Sequence, residues 1–130
     1  MTGRSFAFHS RKKKREYPES RLQKAIVQHL LFSGAFFHSI ANERQCSVQE
    51  HARLKAQGLR KGVADLLIVV DGKAHYMECK APGEKQTPEQ LDFEADCKAN
   101  NIPYVVVHDL PSALKTLSDW RAIRPVKVAA

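Results

Sequence analysis

Apolar residues recur at helical spacing from Pro18 to Leu31, with Leu22, Ile26, Val27 and Leu30 on one face. This predicts a first helix, stopped at Gly34. Residues 35–40 are few and aromatic-rich and read as a first strand. Residues 48–57 predict a more polar helix ending at Gly58, and Gly58-Leu-Arg-Lys-Gly62 is a basic loop that leads into a strand at Val63. Two β-rich runs then flank Asp71-Gly72, a dipeptide that closes two-residue hairpins because both residues tolerate positive φ. Beyond a loop marked by Pro82 and Gly83, Thr87-Pro-Glu-Gln90 has the form of a helix start, with Thr at the N-cap, Pro at the first helical position and Gln completing a capping box. This helix is expected to run to Asn100 or Asn101 with Leu91, Ala95 and Ala99 on its inner face. Residues 102–108 predict a buried strand, and residues 110–120 a last helix through Leu114 and Leu117.

The order strand, helix, strand demands a right-handed crossover, so the last strand should lie parallel to residues 76–80. The sheet is then mixed, an antiparallel hairpin with one parallel addition. Leu66, Ile68 and Val70 oppose Leu67, Val69 and Tyr76 across it, so both faces are apolar and helices should cover both sides. The fold class is α/β.

The hairpin has a chemical consequence. If Val70 and Lys73 close the turn, Asp65 and Glu78 are cross-strand partners with Cβ atoms about 5 Å apart. Like charges placed so repel unless something positive sits between them. Lys80 lies two residues beyond Glu78 and shares its face. Two carboxylates and the backbone carbonyl of Cys79 would make an oxygen-only site suited to Mg²⁺ or Mn²⁺, one ion or two. The Cys79 thiol should point to the other face and pack there. A lysine beside such an ion can orient an attacking water and offset developing negative charge. Set against this, Asp followed by Glu-x-Lys occurs by chance in many chains, and Glu-x-Lys on a strand is commonly a solvated pair. The setting argues for the site, because these charges interrupt strands that are otherwise apolar on both faces.

Length and charge narrow the class. A chain of 130 residues is sized for one domain. It contains no apolar run near the roughly 20 residues of a membrane span. The three cysteines, Cys46, Cys79 and Cys97, show neither a disulfide framework nor zinc-knuckle spacing, which points to a reducing, cytoplasmic setting. The net charge of +7 is concentrated: Arg4, Arg11, Lys12, Lys13, Lys14 and Arg15 stand without an acidic residue in the first 15 positions, and the rest carries 15 basic and 14 acidic side chains. Residues 1–16 are therefore expected to be a basic tail, either a solubilising or a phosphate-binding arm. Residues 17–121 are expected to be the domain and residues 122–130 a C-terminal tail. His29, His38, His51, His75 and His108 show no metal-ligand spacing, and His75 alternates away from the carboxylate face. Phe93 and Trp120 sit at core spacing.

Asp65, then Glu78-Cys79-Lys80, after Gly58-x-x-x-Gly62 and before Gln90, resembles the PD-(D/E)XK nuclease core. More closely it is similar to the VRR-NUC branch, the virus-type replication-repair nucleases, in the stand-alone form of phages and bacteria. The likeness covers about residues 17–120 and includes Arg53-Leu-Lys-Ala-Gln-Gly58, Lys80-Ala-Pro-Gly and Thr87-Pro-Glu-Gln90. It implies a restriction-endonuclease-like α-β-β-β-α-β core, with Asp65 and Glu78 holding the metal and Lys80 assisting catalysis. It further implies that Glu19 reaches the site from the first helix, as a second or water-mediated ligand, and that Gln90 contributes there. Two departures stand out. Ala64 occupies a position where the family commonly has proline, and Cys79 replaces an aliphatic residue.

Residue by residue, simpler readings stay open. Glu19 follows Pro18 at a helix start, where any carboxylate is favoured by the helix dipole. Gln90 is already explained as the partner of Thr87, so cap and site compete for one side chain. Lys55, Arg60, Lys61 and Lys85 flank the hairpin and are candidates for phosphate contact beside Arg11, Lys12, Lys13, Lys14 and Arg15, although such residues are commonly just solvated. The resemblance implies a homodimeric, Mg²⁺-dependent endonuclease acting on branched DNA such as four-way junctions. A catalytically silent nucleic-acid-binding module and a flap or nick nuclease are the alternatives.

Overall fold

The computed structural model describes residues 17–41 and 47–124. The tail residues Arg11, Lys12, Lys13, Lys14 and Arg15 lie outside the described residues, as do Cys46 and residues 125–130.

Helix α1 (Pro18–Phe32) starts with Pro at its first position, as a residue without an N–H can, and turns Ile26 and Leu30 inward. The chain reverses after Ser33, with the Ala35 N–H donating to the Leu30 carbonyl, and enters strand β1 (Phe36–Ser39). Helix α2 (Val48–Ala56) is capped by Ser47, whose side chain accepts from the Glu50 N–H, and it buries no residue. Strands β2 (Leu66–Val70) and β3 (Lys73–Cys79) form the hairpin. Asp71 and Gly72 have φ of 52° and 77°, the pair of positive values that a type I′ turn requires. The register is the expected one: Val70 faces Lys73 and Leu66 faces Met77.

Helix α3 (Pro88–Ala99) opens on the complete capping box between Thr87 and Gln90. Strand β4 (Tyr104–Val107) pairs parallel with β3, as the crossover demands. Helix α4 (Leu110–Asp119) is capped by the Asp109 carboxylate at the Ser112 N–H. The sheet order β1-β2-β3-β4 follows the chain.

Helices cover both faces. On one side α1 and α4 pack over Leu66, Ile68, Met77, Cys79 and Val107, and this is the larger core. His75 and Trp120 meet on that side in a tilted ring contact at 4.9 Å, and the His75 ring donates to the Lys73 carbonyl. On the other, Phe93 and Cys97 of α3 pack with Ala64, Tyr76, Ile102 and Tyr104.

Four expectations need correction. The inner face of α3 is Phe93 and Cys97, while Leu91 is 50% exposed and Ala95 and Ala99 face water. Both sets have helical spacing. Two residues is about 200° round the axis, and the aromatic partners Tyr76 and Tyr104, both in edge-on contact with Phe93, decide between them. Strand β4 is shorter than expected and lies at the sheet edge, so only its Val107 is fully buried. Cover on the α3 side is incomplete: Phe36 faces Val69 on that side and remains 70% exposed, because α3 packs over β3 and β4. Finally, the packed unit extends past residue 121. The Ala122 N–H donates to the Leu117 carbonyl, and Ala122 and Ile123 complete the larger core.

Candidate active site

Asp65 stands one residue before β2, directly opposite Glu78 in the continued register. Its Oδ2 accepts from the Cys79 N–H at 2.8 Å, which ties the start of β2 to the end of β3 where the strand ladder runs out. Glu78 is only 2% exposed, and its carboxyl lies against that of Asp65. Burial, then the neighbouring Asp65 carboxyl, push the Glu78 carboxyl up to about 9, against an opposing pull from Lys80. Facing carboxylates in a dry site resist ionising together without a cation, and this favours the neutral form of Glu78.

Gln90 resolves the competition expected between cap and site, because its amide serves both. Its oxygen accepts from the Thr87 N–H at 2.9 Å while its nitrogen donates to Glu78 Oε2 at 2.5 Å. The cap thereby settles which end of the amide faces Glu78.

Glu19, in the first turn of α1, lies near enough for its charge to act on Cys79 and on the Glu84 carboxyl. The Glu84 carboxyl is raised chiefly by the neighbouring Glu19 carboxyl, while Lys80 opposes the rise. Lys80 thus opposes the rise at both Glu78 and Glu84 without forming an ion pair with either. Glu84 is a member that sequence reasoning missed. Its signal was the Pro82-Gly83 dipeptide, which forms a turn closed by the Glu84 N–H on the Ala81 carbonyl and swings Glu84 back beside Lys80. Tyr104 was also missed. Burial and then the Glu78 charge raise its phenol, which therefore stays neutral, and its hydroxyl accepts from Gln86 at 3.2 Å.

Cys79 behaves as expected. Its thiol is buried in the opposite core and pushed up to about 12, by burial first and then by the Asp65, Glu78 and Glu19 charges, so it is neutral. Ala64 is fully buried against α3. The Arg60 guanidinium pairs with Asp96 at 2.6 Å and lies 5.2 Å from the Phe93 ring centre. Lys55 and Lys61 are exposed on the far side of the first α3 turn, and Lys85 on the loop after Glu84.

Among the described residues no three His, Cys, Asp or Glu side chains converge as a ready metal-binding group. The donors on hand for an ion are therefore the Asp65–Glu78 pair supplemented by backbone oxygen. A buried carboxyl pair lacking a counter-charge fits a hard divalent cation.

The mixed sheet with helices on both faces and a carboxylate pair at the hairpin end defines a restriction-endonuclease-like α/β protein. Two solved structures share the fold. One, described as a VRR_NUC domain, aligns with a TM-score of 0.60 at 20% identity over 80% of this chain and 97% of its own. A second, a VRR_NUC domain protein, aligns with a TM-score of 0.63 at 15% identity over 84% and 92%. The VRR-NUC domain profile matches residues 13–109. The chain is also 42% identical over 62 residues to "Putative nuclease p44" of Acyrthosiphon pisum secondary endosymbiont phage 1, spanning 45% of this chain and 67% of the relative. The chain belongs to the VRR-NUC family and is a nuclease. No helix among the described residues is long and apolar enough to cross a membrane.

Proposed function

We propose that this nuclease is a Mg²⁺- or Mn²⁺-dependent endonuclease that hydrolyses phosphodiester bonds in branched DNA, four-way junctions among them, in the cytoplasm of a bacterium or infected host cell. The observation that carries the reading is the buried Glu78 carboxyl held against Asp65 with Lys80 on the same face. Asp65, Glu78 and the Cys79 carbonyl would hold the ion, with Glu19 as a further or water-mediated ligand. When bound, the ion supplies charge stabilisation at the phosphoryl oxygens and lowers the pKa of water.

The chain's own groups do the rest. The Cys79 N–H fixes Asp65, and Gln90 fixes Glu78 by donating to one oxygen, so neither carboxylate must reorganise as charge develops. Lys80 orients the water for in-line attack at phosphorus and offsets the growing negative charge. The P–O3′ bond breaks, leaving a 5′-phosphate and a 3′-hydroxyl.

The test is a labelled four-way junction incubated with Mg²⁺, with EDTA and Lys80→Ala as controls. Paired nicks are expected, lost in EDTA and slowed by about 100-fold or more in Lys80→Ala. Binding without cleavage in both metals would overturn the reading in favour of a silent binding module, and cleavage restricted to flaps or nicks would overturn the junction assignment.

Cutting two strands of one junction calls for two sites, which a two-fold pair of chains supplies. Leu31, Phe32 and Phe36, at 65, 93 and 70% exposure, lie close together in sequence where α1 passes into β1 and offer apolar area for that pairing. Sedimentation equilibrium should give a dimer for the parent and a monomer for Phe32→Ser combined with Phe36→Ser. A monomeric parent at micromolar concentration would remove this part of the proposal.

A further inference from the structure

The basic residues around the hairpin separate into two kinds. Arg60 is exposed but already paired, bonded to Asp96 and lying over Phe93, so it fastens the loop before β2 to α3. Lys55 and Lys61 form no ion pair among the described residues. Together with His51, Leu59 and the paired Arg60 they line a surface cleft of about 390 Å³ between α2 and the start of α3. At about 30 Å³ per water in the liquid, it has room for a phosphate group together with its hydration.

The position of this cleft is informative. Its α3 wall is the first turn of that helix, where Glu89 lies. Gly62 presses on the same turn so closely that a Cβ there would fall 2.4 Å from the Glu89 carbonyl carbon and 2.7 Å from the Gln90 nitrogen. Gln90 in turn holds Glu78. The cleft and the carboxylate pair thus lie on two sides of one helical turn. Glu89 and Asp92 also line the cleft and repel an anion on the α3 side, which leaves the Lys55 and Lys61 side for one.

We propose that this cleft is a phosphodiester subsite, in which Lys55 and Lys61 grip a backbone phosphate of the DNA that flanks the bond being cut. The subsite rests on the nuclease reading given above. It would set the strand's register relative to Glu78 without taking part in the chemistry, as phosphate contacts generally do.

Junction binding is measured in EDTA across a salt series, and cleavage kinetics in Mg²⁺. For Lys55→Ala with Lys61→Ala, the salt dependence of log K should lose between about 1 and 2 units of slope, and KM should rise about tenfold more than kcat falls. Lys55→Arg with Lys61→Arg should restore both, which separates charge from folding. Arg60→Ala, which removes a cleft residue already neutralised by Asp96, should lower the melting temperature and change the slope by less than the double-alanine variant does. A double-alanine variant with the parental slope, beside a parent that binds and cuts DNA, would overturn the subsite alone. A parent that neither binds nor cuts would overturn the nuclease reading and the subsite with it. Inorganic phosphate that shifts the Lys61 and Gly62 amide resonances without competing with DNA would mark a site for free anions and overturn the strand assignment.

Discussion

Glu78→Gln is expected to lower DNA cleavage by about three orders of magnitude while leaving the metal-free protein at least as stable as the parent at neutral pH. The two halves have one cause. Without metal, the buried Glu78 carboxyl is protonated up to about pH 9, and glutamine has nearly the shape of that neutral form. The introduced amide oxygen can still accept from Gln90, and its NH₂ can face Asp65. With metal, the same position must supply a negative oxygen, which an amide does not.

The folded-state value of about 9 lies above the ordinary 4.5, so the unfolded chain releases this proton first as pH rises. The associated stability is complete below about pH 4.5 and is lost progressively up to about 9. Glu84, also raised, pushes in the same direction. In EDTA the parent's melting temperature should therefore fall from pH 5 to pH 9, and Glu78→Gln should flatten most of that fall. A parent that melts higher at pH 9 than at pH 5, or a variant cutting within tenfold of the parental rate, would contradict the account of the site.

Gly62→Ala should be the most damaging substitution outside the carboxylates. Gly62 has φ of +83°, and a Cβ would lie 2.4 Å from both the carbon and the oxygen of the Glu89 carbonyl. These are backbone atoms of a capped helical turn, and they cannot retreat without drawing Gln90 off Glu78. A loss of about 2–4 kcal/mol is expected in urea unfolding, together with a fall in kcat. Gly58→Ala is the control: φ is also positive, at +104°, but nothing lies within 4 Å of the added carbon. Its cost should stay near 1 kcal/mol. Equal unfolding midpoints for the two variants would show that the close approach to α3 carries no energetic weight.

Much of this site was legible because its signals are local. Asp71-Gly72 specifies the turn, the turn specifies the register, and the register places Asp65 opposite Glu78. Thr87-Pro-Glu-Gln90 specified the start of α3 in the same way. What was not legible depended on partners distant in sequence. Leu91, Ala95 and Ala99 offered as regular a stripe as Phe93 and Cys97, and only Tyr76 and Tyr104 distinguish them. Gln90 appeared to have one side chain for two roles, because its sequence does not reveal that the amide's two ends point to different partners. Arg60 carries the same charge as Lys61, yet only Arg60 is paired, with Asp96 and over Phe93, partners that lie more than 30 positions away in sequence. Ala122 and Ile123 looked like tail because their neighbours on α1 and α4 are needed to see them as core.

The two-residue turn at the far end of the hairpin also governs how insertions and deletions act on this protein. Side chains on a strand alternate faces, so a one-residue change in the turn would shift β3 against β2 and exchange its two sets of side chains. Glu78 would enter the apolar layer beneath α1 and α4, and Cys79 after a deletion, or Met77 after an insertion, would stand opposite Asp65. The turn lies roughly 17 Å along the strand from Asp65, contacts no catalytic group and bears no chemistry. Length changes there are nevertheless active-site mutations, whereas a change of identity at Asp71 that preserves positive φ should pass unnoticed by the carboxylates.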